Sequence, residues 1–529
     1  MSIKGFIGFF GRLQESVISP CLWDKYKLAI YNGVSFRNAG YTVIISDEYI
    51  ISQEENLLRF KYGKDRLSDS NNMTVLIEIS ESSLLIERDR WGTRMVYYVC
   101  DRENIYFASD MRFLLELPIN NIRGYDYNSL SESAVLGYIY AENHTLFSKI
   151  NQLPRNSRLN MSKGNLIIEK NNLSANKQRF KSFEVASLAF SNAFENAILE
   201  ASKIGGKKAY LLSGGMDSSA IAIAASKIEQ IDAISFSSDN NIDDIFYAKK
   251  LADNIDCKHI IYTFDRDKAI IDFPVFLYDT ENVEMEGIFS PLGGYAYYLL
   301  CKEIHQAGYD VIFPGEGADE ILGGYYWALT HTFGFVDKLK NNATDTFLYE
   351  KVVGLFPEIE ERNIYREIAY YLLQGSALTN YHLSCVEHTA KASGLFNYPI
   401  YMTYVIYDIV KDIPMDWLCD GRDTKLVLRS YLGRFLENIG LSRLMTRKKL
   451  AMPSVVTIDF MKKLYLLAEK EAKMSNNPYS NILKGKPLNI FMLDVFHKYY
   501  TLNPMKPIDV DMWKEDLTRI ENGESIIYW

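Results

Sequence analysis

Two acidic, glycine-rich stretches hold the residues of this 529-residue chain best suited to chemistry. The first is Ala209-Tyr-Leu-Leu-Ser-Gly-Gly-Met-Asp-Ser-Ser-Ala220. Gly214 and Gly215 let backbone N–H groups approach an anion closely, and Ser213, Ser218 and Ser219 add hydroxyl donors. Asp217 does not suit a bare phosphate, but a divalent cation would bridge its carboxylate to phosphate oxygens. A lone Ser-Gly-Gly would read as an ordinary turn between a strand and a helix. The full pattern, directly after a short apolar run, reads as a nucleotide site. No G-K-[ST] follows, so it is not a Walker A loop. The second stretch is Phe313-Pro-Gly-Glu-Gly-Ala-Asp-Glu-Ile-Leu-Gly-Gly-Tyr325. Gly315 and Gly317 permit a sharp turn, and Glu316, Asp319 and Glu320 crowd three carboxylates behind it. On a solvated loop these charges would repel one another. With Asp217, Asp319 supplies the carboxylate pair that Mg²⁺ on nucleotide phosphates requires.

Such residues need rigid strand ends behind them. From Ala209 the pattern alternates: strands at Ala209–Leu212, Ile231–Ser237, His259–Phe264 and Tyr309–Phe313, and helices at Ser218–Ile228, Asp243–Asn254 and Phe289–Gln306. This alternation predicts a parallel sheet covered by helices, with ligands at the carboxyl ends of its strands. The remainder, Tyr325–Trp529, reads as mainly helical, with a buried helix expected over Tyr398–Ile406. Residues 1–170 instead carry short apolar or alternating runs at Ile3–Phe10, Lys27–Tyr31, Tyr41–Ser46, Thr74–Ile79, Ser83–Arg88, Met95–Cys100 and Ile105–Ala108. They predict a β-rich domain of two packed sheets. Residues 171–206 read as a polar linker and a core-facing helix with Phe183, Phe190, Phe194 and Ile198 on one stripe. Residues 207–529 then form the second domain.

Bulk composition narrows the partners. The net charge is −9 and no Lys/Arg-rich run occurs, so no nucleic-acid footprint is present. No apolar run approaches membrane-spanning length, and the apolar residues between Lys4 and Arg12 are too few for a signal peptide. The six cysteines are scattered without a C-x-x-C, as expected of reduced thiols in a cytoplasmic protein.

The first stretch resembles the pyrophosphate-binding loop of the PP-loop ATP pyrophosphatases. The second matches the S-G-E-G-x-D-E segment of the asparagine synthetase family, as does Asp243-Asp-x-x-Tyr-Ala248 between them. Upstream, Asp89-Arg-Trp-Gly-Thr-Arg94, Tyr97-Tyr98 and Phe107-Ala-Ser-Asp110 are similar to segments of class II glutamine amidotransferase domains. The resemblance implies an Ntn-type β-sandwich followed by a PP-loop domain with a parallel sheet and a helical C-terminal part. That amidotransferase domain uses a cysteine exposed after the initiator Met as its nucleophile. Here Ser2 follows Met1 and the first cysteine is Cys21, so the domain is expected not to hydrolyse glutamine.

The family resemblance also implies roles for single residues. Adenine lies near Leu211, Ser235 and Phe236; Ser213–Ser219, Gly215 and Gly315 hold the phosphates; Asp217 and Asp319 hold Mg²⁺. Gly421-Arg-Asp-Thr-Lys-Leu-Val-Leu-Arg429 and Thr446-Arg-Lys-Lys-Leu450 resemble segments of β-lactam synthetase. They imply that Lys425 contacts phosphate and that Lys449 stabilises the charge of adenylation and amide formation, with Lys448 as the alternative. Glu316 and Glu387 are the expected carboxylate pair that receives the amine proton. Gly394-Leu-Phe-Asn-Tyr-Pro-Ile-Tyr401 lacks the acid and arginine of the G-x-E-x-R-x-P-F-L-D segment of asparagine synthetases, which argues for a bulkier, less charged substrate.

The expected reaction is attack of a carboxylate on ATP, release of pyrophosphate, and displacement of AMP by an amine. The reading preferred from the sequence is a lasso-peptide cyclase, an ATP- and Mg²⁺-dependent ligase. It would join the N-terminal amine of a precursor (core) peptide to an Asp or Glu side chain, alongside a leader-binding protein and a leader peptidase. The alternatives are a β-lactam-type small-molecule synthetase, a glutamine-independent asparagine synthetase, and an inactive PP-loop binding partner.

Overall fold

The computed structural model describes residues 6–11, 34–38, 41–45, 49–54, 57–62, 73–101, 104–170, 180–238, 241–281, 283, 285–286, 292–324, 378, 380–420, 422–446 and 456–529. The expected strand at Lys27–Tyr31 lies outside the described residues, as do Ser2 and Cys21.

Two antiparallel six-stranded sheets build the N-terminal part. One runs from edge to edge as Asn151–Gln152, Tyr97–Asp101, Asn104–Ala108, Phe6–Phe10, Tyr41–Ile45 and Val34–Asn38. The other runs Asn165–Lys170, Ser157–Ser162, Ser83–Arg88, Val75–Ser80, Leu57–Tyr62 and Tyr49–Glu54. Phe6–Phe10 is buried at every position because both of its faces are covered. Phe6 and Phe10 meet Phe60, Ile77 and Ile86 between the sheets. Ile7 and Phe9 point the other way, into a core shared with Phe273, Tyr295 and Phe491 of the C-terminal half. Val75–Ser80 and Ser83–Arg88 alternate buried and half-buried residues, as strands with one covered face do. Six strands went unread in the sequence, among them Ser157–Ser162 and the exposed edge Asn165–Lys170. The former alternates in burial, but its outward residues Arg158, Asn160 and Ser162 are weak strand formers.

In the C-terminal half, five parallel strands lie in the order Lys258–Thr263, Asp232–Ser237, Lys208–Leu211, Val311–Phe313, Phe396–Asn397. The chain steps outward in one direction from Lys208–Leu211 and later returns to its other side. The order therefore reverses between Lys208–Leu211 and Val311–Phe313, where an α/β sheet opens a crevice for ligands. Both motif stretches begin at this reversal. The fifth strand, Phe396–Asn397, is the strand among the described residues of the remainder read as mainly helical; its two residues pair with Val311 and Ile312. The helix expected over Tyr398–Ile406 is corrected. Pro399 has no N–H to give, so a 3₁₀ turn at Ile400–Met402 comes first and the helix runs Tyr404–Val410.

The helix after the first motif spans Met216–Ser226, two residues earlier than the sequence suggested. Asp217 thereby sits in its first turn. The helix is buried on nearly every side, which its Ala/Ile content allows. The linker helix spans Phe183–Ser202, capped by Ser182 accepting from Val185 N, and buries Phe190, Phe194 and Ile198 as expected.

Candidate active site

The first motif folds as a hydroxyl-braced turn. Ser213 N donates to Ser218 Oγ at 3.0 Å, and the two serine hydroxyls lie 3.0 Å apart. Gly215 is the N-cap of the following helix and provides no side-chain cap, so the first N–H groups of that helix face the crevice. Gly214 has φ +74, and a Cβ there would lie 2.1 Å from the carbonyl oxygen of Asp244. Only glycine permits that close passage. Ser219 Oγ is fully buried and has no hydrogen-bond partner among the described residues. A buried turn with uncapped N–H groups and an unsatisfied hydroxyl fits an anion.

The second motif folds onto the first. Gly315 packs against Asp217, where an added Cβ would lie 3.2 Å from Asp217 Cβ. A short helix, Ala318–Leu322, carries Asp319 and Glu320. Lys425 joins the two motifs: its Nζ is 2.6 Å from Asp217 Oδ1 and 2.6 Å from Asp319 Oδ1. Lys425 is 2 % exposed and holds φ +55 at the N-cap of the helix Leu426–Asn438. Gly324 makes room for it, since a Cβ at that position would fall 2.0 Å from Asp319 Oδ1 and 2.2 Å from Lys425 Cε. Tyr401 braces the cluster from below by donating its hydroxyl to Asp217 O at 3.0 Å.

Asp217 and Asp319 are thus brought together as the sequence suggested, but a lysine bridges them. Among the described residues no three His, Cys, Asp or Glu side chains group as a metal site. The donor set still suits Mg²⁺ carried in on phosphates: two carboxylates from separate strand ends, with the remaining ligands supplied by phosphate oxygens and water. Lys425 would then turn its charge to the same phosphates.

At the expected adenine positions, Ser235 donates its hydroxyl to Leu212 O, so His259 Nε2, 2.7 Å away, must carry the proton of that contact. Phe236 is buried beside Phe264, and Leu211 is half-buried at its strand end. Lys449 and Lys448 lie outside the described residues.

Glu387 and Glu316 are held by different partners. Glu387, on the helix Ser384–Ser393, forms a buried ion pair with Arg94 from the N-terminal part. Arg94 Nη2 also donates to Asn397 O at 3.2 Å, and its guanidinium lies 4.9 Å from the Phe396 ring centroid. The segment that lacks its own arginine therefore receives one from residues 87–94. Glu316 Oε2 lies 4.0 Å from His382 Nδ1, and His382 Nε2 lies 3.5 Å from the buried Glu320. Both Glu316 and Glu387 bear on Tyr297, whose hydroxyl is pushed well above the usual phenol range by burial first and by nearby charges, these two included.

Arg94, His382, Tyr297 and Tyr401 went unread as site residues. Arg94 was read only within Asp89–Arg94, as part of the amidotransferase-like segment and not of the synthetase site. In the structure Arg88, Asp89 and Arg94 are all buried, and Arg88 Nε donates to Arg94 O at 2.8 Å. His382 and Tyr297 have no sequence motif around them that marks a site, whereas Tyr401 closes the Gly394–Tyr401 segment compared above with the substrate segment of asparagine synthetases.

Comparison with known proteins fits this arrangement. A glutamine amidotransferase domain model matches residues 47–171. The putative asparagine synthetase (glutamine-hydrolysing) 1 of Methanocaldococcus jannaschii is 26% identical over 321 residues, 58% of this chain and 53% of that protein. The human asparagine synthetase (glutamine-hydrolysing) is 27% identical over 161 residues, 28% of each chain. The chain thus spans about half, or less, of the length of these relatives. An NMN synthetase structure from Francisella tularensis aligns with 40% of this chain and 94% of its own at 19% identity and a TM-score of 0.20, too slight a likeness to carry an argument. An asparagine synthase model matches residues 190–492, more than half of the sequence, and the chain belongs to the asparagine synthase family.

Proposed function

We propose that the chain is an ATP-dependent ligase that activates a carboxylate as an acyl-adenylate and joins it to an amine. The observation that carries this reading is the triad of Asp217, Asp319 and Lys425 at the reversal of strand order, beside an uncapped helix N-terminus. A carboxylate is a poor acylating group because its leaving group is oxide. Attack of its oxygen on the α-phosphorus of ATP forms the C–O–P link and expels pyrophosphate. Ser213, Ser218 and the N–H groups of Met216–Ser218 bind that pyrophosphate, and Lys425 meets its charge. Mg²⁺ held at Asp217 and Asp319 would neutralise the phosphates further. An amine then attacks the acyl carbon, the C–N bond forms and AMP leaves. Lys449 is the proposed stabiliser of the oxyanion.

The substrate we propose is a peptide whose N-terminal amine closes on an Asp or Glu side chain, as a lasso-peptide cyclase would join them. One feature supports this. The segment that would hold free aspartate presents Phe396, Tyr398 and Tyr401 instead. When amine and acid belong to one molecule, holding the folded conformer supplies much of the acceleration. A leader-binding protein and a leader peptidase are the partners this reading implies.

The test incubates the chain with ATP, Mg²⁺ and three probes: a linear peptide with a free N-terminal amine and one Asp or Glu, a small β-amino acid, and L-aspartate with ammonium. Pyrophosphate, AMP and a peptide lighter by one water are expected with the first. Product only with the second or third moves the chain to a small-molecule or asparagine-forming ligase. Failure to release pyrophosphate with any carboxylate refutes the ligase reading.

A further inference from the structure

Beside the phosphate cluster lies a second polar group that no motif announced. His382 stands between two carboxylates of the second motif, with Nδ1 4.0 Å from Glu316 Oε2 and Nε2 3.5 Å from Glu320 Oε1. The two acids differ in setting. The Glu320 side chain is 1 % exposed, whereas that of Glu316 is 34 % exposed and faces the crevice. His382 is packed against Tyr381, with ring centroids 4.7 Å apart in an edge-on arrangement, which fixes the plane of the imidazole. A second polar group lies within the reach of the Glu316 charge. Tyr297 is buried, its hydroxyl has no hydrogen-bond partner among the described residues, and it feels the charges of both Glu316 and Glu387. A buried unsatisfied hydroxyl beside two carboxylates is a feature a ligand would resolve.

We propose that His382 is a positioning residue for Glu316, oriented by Glu320, and that it relays onward the proton that Glu316 takes from the attacking amine. This rests on the ligase reading above. The arrangement follows the logic of a nucleophile, a base and a buried acid that orients the base. With Nε2 3.5 Å from the buried Glu320 carboxylate, the tautomer protonated at Nε2 is the one that faces an acceptor, which leaves Nδ1 toward Glu316. In the step itself, the amine nitrogen bonds to the acyl carbon and the C–O bond to AMP breaks, its electron pair leaving with AMP. The surplus proton on nitrogen passes by way of Glu316 to His382 Nδ1 and then to solvent. A small rotation of either side chain would close the separation of 4.0 Å to hydrogen-bond distance. Adenylation moves no proton from an amine, so His382 has no part in the first half-reaction.

That split is the test. Wild type, His382→Gln and His382→Ala are compared in exchange of labelled pyrophosphate into ATP and in amide formation, using the linear peptide and L-aspartate with ammonium as probes. Exchange within about twofold of wild type is expected in both variants, which also shows that they are folded. Amide formation should fall by about 10²- to 10³-fold. Added imidazole should restore part of the activity of His382→Ala and none of His382→Gln, whose side chain fills the space. Amide formation within about twofold of wild type, parallel loss of both half-reactions, or a His382→Ala defect indifferent to imidazole each overturns the assignment. A wild-type chain that does not exchange pyrophosphate with any probe refutes the ligase reading itself, which is a different result.

Discussion

Replacing Arg94 by alanine tests whether residues 1–170 are part of the synthetase site or merely attached to it. In the ion pair with Glu387, the Arg94 side chain is 2% exposed and that of Glu387 8%. Removing one member leaves the other as an uncompensated buried charge, which costs about 3–5 kcal/mol. Arg94→Ala also gives up the bond to Asn397 O and the stacking over Phe396. A hydrogen bond from a charged donor adds about 1.5–3 kcal/mol, but the two losses share one side chain and do not add in full. A net loss of about 4 kcal/mol is the expectation. Urea unfolding measures it, followed by near-UV signals from Trp91, which packs edge-on against Tyr407 at 4.7 Å across the same interface. The double variant Arg94→Met with Glu387→Leu should recover most of the loss, because no charge remains buried. Activity separates from stability here. The double variant should be folded yet poor in amide formation, since Glu387 is gone. A loss below about 1 kcal/mol in Arg94→Ala, or no recovery in the double variant, would refute the reasoning.

Four further outcomes follow from the structure. Lys425→Met should abolish detectable pyrophosphate exchange, with a drop of at least about 10²-fold, because the two carboxylates then face the phosphates without the lysine charge. Gly324→Ala should cost nearly as much, since its Cβ would strike both Asp319 and Lys425; exchange at wild-type rate would show that the loop adapts. Glutamine with ATP and Mg²⁺ should yield no glutamate if the amine comes from the peptide, and appreciable release would overturn that proposal. Acid sensitivity should trace to His388, whose pKa burial lowers to about 3, aided by the Lys391 charge. Its Nδ1 donates to Thr280 O and its Nε2 accepts from Tyr97 at 3.3 Å, so it is held neutral in the fold. The unfolded chain binds a proton below about pH 6.5 that the fold does not, and stability therefore falls as pH drops through that window, by at most about 1.4 kcal/mol per unit. Asp494, pushed up to about 6 by burial, and Glu281, raised by burial and by Asp110, act in the opposite sense. The difference between wild type and His388→Gln, measured by urea unfolding at about pH 5 and pH 7, isolates the histidine.

The elements legible in the sequence were those whose burial and chemistry agree locally. Lys208–Leu211 and Val311–Phe313 read as strands because an apolar run stops abruptly at glycine and serine or proline. Phe183–Ser202 read as a helix because its apolar stripe and its Ser182 cap point to one answer. What escaped depended on distant partners. Phe396–Asn397 is two residues long and is a strand only because Val311 and Ile312 lie beside it. His382 is a lone histidine until the turn at Gly315–Glu320 brings carboxylates to both of its nitrogens.

The phosphate cluster shows how the two kinds of information combine. From residue types alone, Asp217 and Asp319 call for a cation, and the sequence reading supplied a divalent metal. The fold supplies Lys425 first, at 2.6 Å from each. These are compatible demands, because two carboxylates drawn together at a strand-order reversal must be neutralised whether or not nucleotide is present. The lysine does this from within the chain. Were a triphosphate to bind with a divalent metal, Asp217 and Asp319 would hold the metal and Lys425 would meet the phosphates. A free lysine at that position would have to be desolvated on binding, whereas Lys425 is already 2% exposed and preset at φ +55. Its desolvation was met during folding, so that cost would not fall on the binding of pyrophosphate. On this argument Lys425→Arg, which keeps the charge, should still lose most of the exchange activity, because a planar guanidinium does not fit the space kept open by Gly324. Near-wild-type exchange in that variant would show that the charge alone suffices.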